Sequence, residues 1–389
     1  MRVAQIAFTL LLILVAYAYI GYPLLIFVLS RLLPRPVRKA DITPKVSLII
    51  AAYNEEADIA GKLDNALALD YPHDKLEIIV ASDCSTDRTD EIVRGYGGRG
   101  VILDRQRERL GKSVAQNHAA RVATGDILVF SDATTMYAPD AVRQLVRSFA
   151  DPQVGCVAGR LIYVDPAATG IGRGCRTYWN YEKLIKASES RAGSLIGVSG
   201  CLYAVRRSSY APLALDMSSD FVIATEMHLQ GLRTVYEREA VAMEETNRRG
   251  RDEFRMRVRV IEQTFSALQR YGAALNPRQH GLFAWQLISH KLMRYAVPFL
   301  LVGIFALNWS LSGESPFYRL SFMAQVTFYL LALAGWAGAR LGLRMGPLAL
   351  PYYFALANVA ALAAFIEFMS GRANVVWEPI RSRPAAGSS

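Results

Sequence analysis

Long segments without a charged residue lie at both ends of the chain. Residues 3–30 contain none, and ~20 apolar residues are enough to cross the hydrocarbon core of a bilayer. Three C-terminal segments are also uncharged and near that length: 295–313, 320–339 and 345–366. The pattern predicts an N-terminal transmembrane anchor over residues 1–33 and about three transmembrane helices over residues 295–370, followed by a tail over residues 371–389.

Basic residues indicate which side of the membrane the rest of the chain occupies. Four of them directly follow the first apolar segment: Arg31, Arg35, Arg38 and Lys39. Such residues are enriched in cytoplasmic flanks, so the central part of the chain is expected in the cytoplasm, at a bacterial-type plasma membrane. A cleaved signal peptide is the competing interpretation, but its apolar core is shorter than this segment.

The side of the C-terminus stays open. One N-terminal and three C-terminal crossings, combined with a cytoplasmic central domain, place the tail outside. Three basic residues favour the inside instead: Arg372, Arg381 and Arg383. Pro351 also lies in the last apolar segment, where a proline inside a helix would break or kink it.

Between the apolar segments, residues 42–280 alternate short apolar runs with helical patterns. Four such runs are 46–51, 76–80, 101–103 and 127–130. This alternation is typical of an α/β domain with a mostly parallel sheet that helices cover on both faces. Because ligands bind such sheets at the carboxyl ends of the strands, we expect the functional residues directly after each run.

A shorter segment, 281–294, lies between this domain and the C-terminal apolar segments. It mixes Trp285, His290, Lys291 and Arg294 with apolar residues. Such a pattern is typical of an amphipathic helix that lies in the membrane interface, and this is the prediction for the segment.

Composition supports a membrane-associated chain. The 389 residues are 52% hydrophobic and 20% charged, with a mean hydropathy of +0.18, which is too apolar for an ordinary soluble protein. The net charge of +10 fits loops at an anionic membrane surface and an anionic ligand better than nucleic-acid binding. The four cysteines form no CxxC pair, which argues against a disulfide framework or a zinc site.

Polar residues follow the first three apolar runs. Tyr53 and Glu55 follow the first and Asp83 the second, and Lys112 opens a helix after the third. Glu55 in a first helical turn is also explained by the helix dipole alone. A lysine at a helix start can pair with a phosphate, although one Gly-Lys pair is weak evidence. The group indicates a nucleotide pocket at this edge of the sheet.

The fourth run ends at Asp132, on a predicted sharp turn. One carboxylate there can hold Mg²⁺ or Mn²⁺, with substrate phosphates supplying further oxygens. A second acid two residues later would strengthen this hypothesis, but that position is Thr134. Its hydroxyl can ligate directly or through water, so Asp132 and Thr134 are the predicted metal ligands.

These pieces, in this order and spacing, resemble the family 2 glycosyltransferases with a GT-A fold, in their membrane-bound, polysaccharide-synthase-like branch. The motifs are AAYNEE at 51–56, ASDCSTD at 81–87 and FSDAT at 130–134. The resemblance implies a Rossmann-like mixed sheet. It also implies that Tyr53, Glu55 and Asp83 contact the nucleotide, that Lys112 lies near the donor, and that Asp132 binds the diphosphate metal.

Two further regions are assigned through this resemblance. The segment 198–204 is similar to the family segment that closes the acceptor pocket, which makes Gly200, Cys201 and Tyr203 candidates for acceptor contact, although aromatic side chains are more often core. An arginine-rich stretch stands where processive members carry QxxRW. Arg257 and Arg259 are the candidates there for diphosphate contact, and the missing Trp argues against processive polymerisation.

The catalytic base is the most consequential assignment. Glycosyl transfer with inversion needs a carboxylate that takes the proton of the acceptor hydroxyl. Asp220 precedes Gly231 by eleven residues, which fits the spacing of the family's acidic motif, although a helix cap would explain an Asp here equally well. Glu226 lies too close to Gly231 and is followed by Met227 where the base should stand. We therefore assign Asp220.

The sequence predicts an inverting glycosyltransferase of the hexosyltransferase type. Its donor would be a nucleotide-diphosphate sugar, with UDP favoured, and its acceptor a glycan or lipid-linked glycan in exopolysaccharide or cell-envelope synthesis. Membrane lipids are expected partners, nucleic acid is not, and a homo-oligomer or partner subunit stays open. The alternatives are a polyprenyl-phosphate glycosyltransferase and a non-catalytic transporter or scaffold with a degenerate nucleotide-binding domain.

Overall fold

The computed structural model describes residues 2–165, 170–214, 217, 219–247, 249–343 and 345–371. Within these ranges an eight-stranded mixed sheet is flanked by helices, and further long apolar helices come from both ends of the chain. The strands are β1 Val46–Ala52, β2 Leu76–Ser82, β3 Val101–Arg105, β4 Ile127–Asp132, β5 Met136–Tyr137, β6 Val154–Val164, β7 Leu202–Arg206 and β8 Arg233–Glu245.

The sheet confirms the predicted parallel half and adds an irregular second half. Its order is β3-β2-β1-β4-β7-β6-β8-β5. The first four strands of that order are parallel, whereas β7 runs antiparallel to both β4 and β6. All four predicted runs are strands, each extended by one or two residues at its carboxyl end. β1 is buried along its whole length, as expected for a central strand covered on both faces.

Helices cover both faces of the sheet, as predicted. On one face α3 and α6 pack on the even-numbered residues of β1, such as Leu48 and Ile50. On the other face α5 and α8 pack against Ile49 and Phe130. The helices of this part are α3 Ile59–Leu67, α4 Thr89–Gly95, α5 Lys112–Val122, α6 Ala141–Arg147, α7 Gly170–Ala192, α8 Ser219–Leu229 and α9 Gly250–Arg270.

In the part of the chain that the structure describes, four helical segments are long and apolar enough to cross a membrane. They are Arg2–Leu32, formed by α1 Arg2–Ala16 and α2 Tyr22–Leu32 around a π-helical turn; Pro277–Leu311, formed by α10 Pro277–Gln286 and α11 Met293–Leu311; α12 Pro316–Arg340; and 346–369, which contains α13 Ala349–Met369. The numbers and positions agree with the predicted single N-terminal anchor and three C-terminal helices. Pro351 does not break α13, because it lies in the first turn, where its missing N–H is not needed.

The predicted interfacial helix over residues 281–294 has a different structural role here. It is continuous with α11 through a π-helical segment, Leu287–Leu292. Its polar residues His290 and Arg294 are buried because they contact carboxylates of α7. The amphipathic pattern thus reflects a polar face turned towards the α/β domain. The predicted tail, with the arginines beyond residue 371, lies outside the described residues.

Two helices of the α/β domain contact the apolar helices. Ile185 and Ala192 of α7 pack on Tyr22 and Ile26 of α2. On α9, Val258 and Ile261 pack against three alanines of α13: Ala360, Ala361 and Ala364. These contacts place the membrane-type helices directly below the carboxyl-end edge of the sheet, where the candidate site lies.

Candidate active site

A cavity of about 380 Å³ lies between the carboxyl-end edge of the sheet and the apolar helices. Seven of the twelve predicted site residues line it: Lys112, Asp132, Gly200, Cys201, Asp220, Arg257 and Arg259. They come from five separate places along the chain. The structure therefore brings most of the predicted site into one space.

Lys112 and Asp132 form the anionic-ligand end of this cavity. The Lys112 ammonium makes an ion pair with Oδ1 of Asp132, at the end of β4. Gly111 has a φ of +95°, a backbone conformation that glycine adopts readily because it has no Cβ. The helix α5 then begins at Lys112. Although burial opposes it, the carboxylates of Asp132 and Asp220 hold the pKa of Lys112 above its ordinary value. The lysine is thus a permanent cation facing the cavity.

Asp83 supports the loop that presents Lys112. Its carboxylate is buried and accepts hydrogen bonds from the backbone N–H groups of Leu110 at 2.9 Å and Gly111 at 3.0 Å. Tyr53 lies nearby, with its ring 3.9 Å from the Arg109 guanidinium. Asp83 and Tyr53 do not line the cavity, so their contact with a nucleotide stays a prediction.

Glu55 is also outside the cavity. Its side chain is buried at the end of β1, and its backbone N–H donates to Oγ1 of Thr89, the first residue of α4, at 2.7 Å. This position ties the loop after β1 to the loop after β2. The predicted nucleotide contact of Glu55 is neither supported nor opposed by these bonds.

Asp220 is enclosed by a glycine-containing segment. It lies in the first turn of α8, and its side chain lines the cavity. Its backbone carbonyl accepts a hydrogen bond from the N–H of Val198 at 2.7 Å. A Cβ built on Gly197 would lie 3.0 Å from that carbonyl oxygen, and one built on Gly200 would overlap the Asp220 carboxylate. Ser218, before the helix, lies outside the described residues.

Glu244, near the end of β8, is a cavity-lining acid that sequence reasoning missed. Burial, and then the neighbouring negative charge of Asp132, raise the pKa of Glu244 to about 7. Cys201 donates a hydrogen bond from its Sγ to Oε2 of Glu244 at 3.7 Å. No spacing rule links Glu244 to Asp132, because the two lie on strands far apart in sequence.

The residues present fit a divalent cation at Asp132. Oδ1 of Asp132 is buried, and within the described chain it is ion-paired with Lys112 but accepts no hydrogen bond of ordinary geometry. Glu244 provides a second carboxylate within electrostatic reach. Thr134, the predicted second ligand, is exposed and does not line the cavity.

Tyr203 corrects the acceptor-site prediction. Its ring is fully buried and stacks on Phe130 with a centroid separation of 4.8 Å. Tyr203 lies inside β7 and belongs to the core beneath α5 and α8, whereas Cys201 precedes the strand and lines the cavity. Of the three predicted acceptor residues, Gly200 and Cys201 line the cavity.

The two candidate arginines on α9 have different surroundings. Arg257 donates to Oε1 of Glu253 at 2.9 Å and to the hydroxyl of Tyr353, and its guanidinium lies 4.9 Å from the ring of Tyr178. These contacts tie α9 to α13 and α7. Arg259 lines the same cavity.

A buried polar network forms the membrane-side end of the cavity. Glu182 and Glu189 of α7 bracket His290, which is 3.1 Å from Oε2 of the first and 2.6 Å from Oε1 of the second. Arg294 also pairs with Glu182, and the Tyr22 hydroxyl donates to Glu189. This network joins the N-terminal and C-terminal apolar helices to the α/β domain.

Comparison with known proteins identifies the domain. Residues 47–213 match the model of Glycosyl transferase family 2. Over 210 residues the chain is 29% identical to the poly-beta-1,6-N-acetyl-D-glucosamine synthase of Staphylococcus aureus strain COL, covering 52% of this chain and 50% of that protein. It is 32% identical over 176 residues to the probable glycosyltransferase YdaM of Bacillus subtilis strain 168, covering 42% of this chain and 41% of that protein. The chain thus spans about half the length of these curated relatives or less.

One solved structure is similar along nearly the whole chain. It is a mannosyltransferase of Pyrobaculum calidifontis in complex with GDP-Man and Mn²⁺, with a TM-score of 0.70 and 25% identity. The match covers 94% of this chain and 99% of that one, including the apolar helices. Residues 47–213 therefore carry a glycosyl transferase family 2 domain, and the chain shares the GT-A fold of this solved structure.

Proposed function

We propose that the protein transfers a sugar, with inversion, from a nucleotide-diphosphate sugar to a hydroxyl of a glycan or lipid-linked glycan at the membrane, in exopolysaccharide or cell-envelope synthesis. The observation that carries the proposal is that Asp132 and Asp220 line one cavity, together with Lys112. One end suits a diphosphate, and the other provides a base for the acceptor.

The donor end would hold the leaving diphosphate by charge. Lys112 and Arg259 both face the cavity, and cations placed where negative charge develops stabilise a transition state more than a ground state. Asp132, with Glu244 beside it, would hold a divalent cation, Mg²⁺ or Mn²⁺. When bound, that cation supplies Lewis-acid stabilisation of the diphosphate. Asp83 contributes by fixing the loop before Lys112.

Asp220 would act as general base. As the acceptor oxygen forms its bond to the anomeric carbon, the bond from that carbon to the diphosphate oxygen breaks on the opposite face. The hydroxyl proton passes to the Asp220 carboxylate. Gly200 leaves room for this carboxylate at the cavity wall, and Gly197 leaves room for the backbone carbonyl of Asp220.

The relatives leave the donor nucleotide between two candidates. One is named as a synthase of poly-N-acetylglucosamine, and the similar solved structure contains GDP-Man. We keep UDP as the proposed nucleotide, with GDP as the alternative. We also propose that the α/β domain is cytoplasmic, because basic residues follow the first apolar helix.

A polyprenyl-phosphate acceptor is the second candidate. A phosphate oxygen is already ionised near neutral pH and needs no base, whereas a sugar hydroxyl does. The position of Asp220 at the cavity therefore favours a hydroxyl acceptor.

The test is a donor screen with the purified full-length protein. UDP- and GDP-sugars are incubated with Mn²⁺ and a membrane extract, and nucleotide release and sugar incorporation are followed. Asp220→Asn should keep the donor dissociation constant and lose about 10²- to 10⁴-fold in transfer rate. Asp74→Asn, at an exposed position away from the cavity, is the matched control. A wild-type rate in Asp220→Asn would refute the base assignment.

A further inference from the structure

Two lysines at the membrane-side end of the cavity have no ion-pair partner within the described ranges. Lys186 lies on α7 and Lys291 in the π-helical turn before α11, and both line the cavity. Among the described residues no carboxylate forms an ion pair with either ammonium group. Lys186 donates one hydrogen bond, to Oγ of Ser199 at 3.1 Å. Both cations are thus available to a ligand in the cavity.

The nearby carboxylates are already engaged. Glu182 is bound by Arg294 and His290, and Glu189 by His290 and Tyr22. These contacts hold the negative charges of α7 against the apolar helices. As a result, Lys186 and Lys291 line the cavity and are not paired with either of these two acids.

The charges on the two lysines oppose each other. Burial lowers the pKa of Lys186, the carboxylates of Glu182 and Asp220 partly offset this, and the charge on Lys291 lowers it further. Two like charges that share a partly desolvated space are destabilising unless an anion lies between them. An anionic group bound there would remove this cost.

Asp220 lines the same cavity as Lys112 and the two lysines. Its charge acts on the pKa of Lys112 and also on that of Lys186. A ligand held by Lys186 and Lys291 would therefore share one cavity with the proposed base and the proposed donor end.

We propose that Lys186 and Lys291 form a second anion site, which binds a phosphate group of the acceptor. The proposal rests on the proposed function and specifies its acceptor as phosphorylated. Helices of three candidate membrane spans contribute to the surrounding wall through Tyr19, Tyr295 and Asn358. A phosphate that joins a glycan to a membrane lipid would therefore reach the site from the bilayer side, and a lipid-linked phosphate is the proposed ligand.

The test measures phosphate binding apart from donor binding. The full-length protein in detergent is first saturated with Mn²⁺ and the nucleoside diphosphate found in the donor screen, which fills the donor end. It is then titrated with farnesyl phosphate, with farnesol and with inorganic phosphate. Tryptophan emission is a local signal, because the Lys186 ammonium lies 5.6 Å from the ring of Trp179; Trp179→Phe should remove it.

Farnesyl phosphate should bind, and the double variant Lys186→Gln/Lys291→Gln should weaken it at least about tenfold, as expected for the loss of two charge-assisted contacts. Lys183→Gln, also on α7 but not lining the cavity, should bind like wild type. Inorganic phosphate could bind as tightly as farnesyl phosphate, with this binding lost in the double variant. That result would support the anion site but assign it to a soluble phosphorylated acceptor.

Three results would overturn the proposal. Farnesol that binds as tightly as farnesyl phosphate would show that the site does not recognise the phosphate. A double variant that binds farnesyl phosphate like wild type would show that the two lysines do not hold it. A Lys186→Gln variant with a lowered kcat but an unchanged KM for the acceptor would show that Lys186 positions Asp220 and does not bind the acceptor. Donor hydrolysis without acceptor is measured in parallel. Wild-type hydrolysis in the double variant keeps the proposed function intact when phosphate binding fails, whereas a wild-type protein that neither releases nucleotide nor incorporates sugar in the donor screen refutes that function itself.

Discussion

Gly200 lies directly against the carboxylate of Asp220. A methyl group added at Gly200 would overlap Oδ1 of Asp220, and its next nearest neighbour would be Oγ of Ser219 at 3.2 Å. The backbone of Gly200 thus forms the wall that fixes where this carboxylate can lie. The absence of a side chain at position 200 is therefore tied to the position of the proposed base.

Replacing Gly200 by alanine should displace the Asp220 side chain. Since a base must lie within hydrogen-bond reach of the proton that it takes, we expect transfer to fall about 10²-fold with little change in donor affinity. The measurement is the transfer rate at saturating donor, together with the donor dissociation constant and the thermal unfolding temperature.

Gly98→Ala provides the control for this change. Nothing lies within 4 Å of a Cβ built on Gly98, so this variant should keep wild-type transfer. If Gly200→Ala were as active as Gly98→Ala, the close approach would have no bearing on catalysis. If it failed to fold, Gly200→Ala combined with Asp220→Ala would test whether removing the overlapping carboxylate restores the fold.

Glu244 is expected to contribute to metal binding in place of Thr134. Glu244 lines the cavity, and the negative charge of Asp132 raises its pKa, whereas Thr134 is exposed. Glu244→Gln should weaken Mn²⁺ binding at least about tenfold, as measured by the electron paramagnetic resonance signal of free Mn²⁺ in the absence of donor. Thr134→Ala should leave the binding curve unchanged. The reverse ranking of these two variants would restore the sequence-based assignment.

Without metal, Glu244 should also make stability depend on pH. Its pKa in the folded protein is about 7, above the ordinary value for a glutamate, because burial and Asp132 disfavour its charge. The folded state then holds a proton that the unfolded state releases, so stability falls as the pH rises from about 4.5 to 7. Glu244→Gln should flatten this part of the unfolding-temperature profile. An equally steep profile in the variant would assign the dependence to other groups.

We expect the two arginines of α9 to have different roles, with Arg257 stabilising the fold and Arg259 binding the donor. Arg257 is held by Glu253 and Tyr353, and its replacement by Met should mainly lower the unfolding temperature. Arg259→Met should raise the KM for the donor about tenfold while leaving the unfolding temperature near that of wild type. Initial rates over a range of donor concentrations, measured beside thermal unfolding, distinguish the two. Equal donor KM values for both variants would contradict the assignment.

Local patterns predicted the first half of the sheet well. The runs that became β1, β2 and β4 are apolar and bounded by polar turns, and a central strand in a parallel sheet must look like this because both of its faces are buried. Because these strands are parallel, the polar residues that follow them lie at the same edge of the sheet. Lys112 and Asp132 could be placed close together for this reason, whereas Asp220 was assigned from the family's spacing to Gly231.

The remainder of the site depends on long-range contacts. Glu244 reaches the cavity because β8 runs parallel to β6 and pairs with it from Val154 to Val164, and nothing in the local sequence predicts that pairing. His290 and Arg294 look like interfacial residues when only their own helix is considered. Their partners Glu182 and Glu189 lie on α7, and that contact exists only in the folded protein.

The contact between Glu182 and Arg294 should stabilise the attachment of the apolar helices to the α/β domain. Burial opposes its charge, yet Arg294 and His290 hold the pKa of Glu182 well below its ordinary value. Removing one partner of a buried ion pair leaves the other uncompensated. Glu182→Gln should therefore lower the unfolding temperature of the full-length protein by roughly 5 °C or more.

The double variant Glu182→Gln/Arg294→Gln tests whether the loss comes from the pair itself. It should be destabilised by less than the sum of the single variants, because neither charge is then left alone. Glu239→Gln is the control, since its pair with Arg147 is largely exposed and contributes little. The depressed pKa of Glu182 also means that the pair stabilises the fold above the ordinary glutamate pKa. This contribution should disappear as the pH falls below that value, in wild type but not in Glu182→Gln. Strict additivity of the two single variants would show that the network does not couple the apolar helices to the catalytic domain.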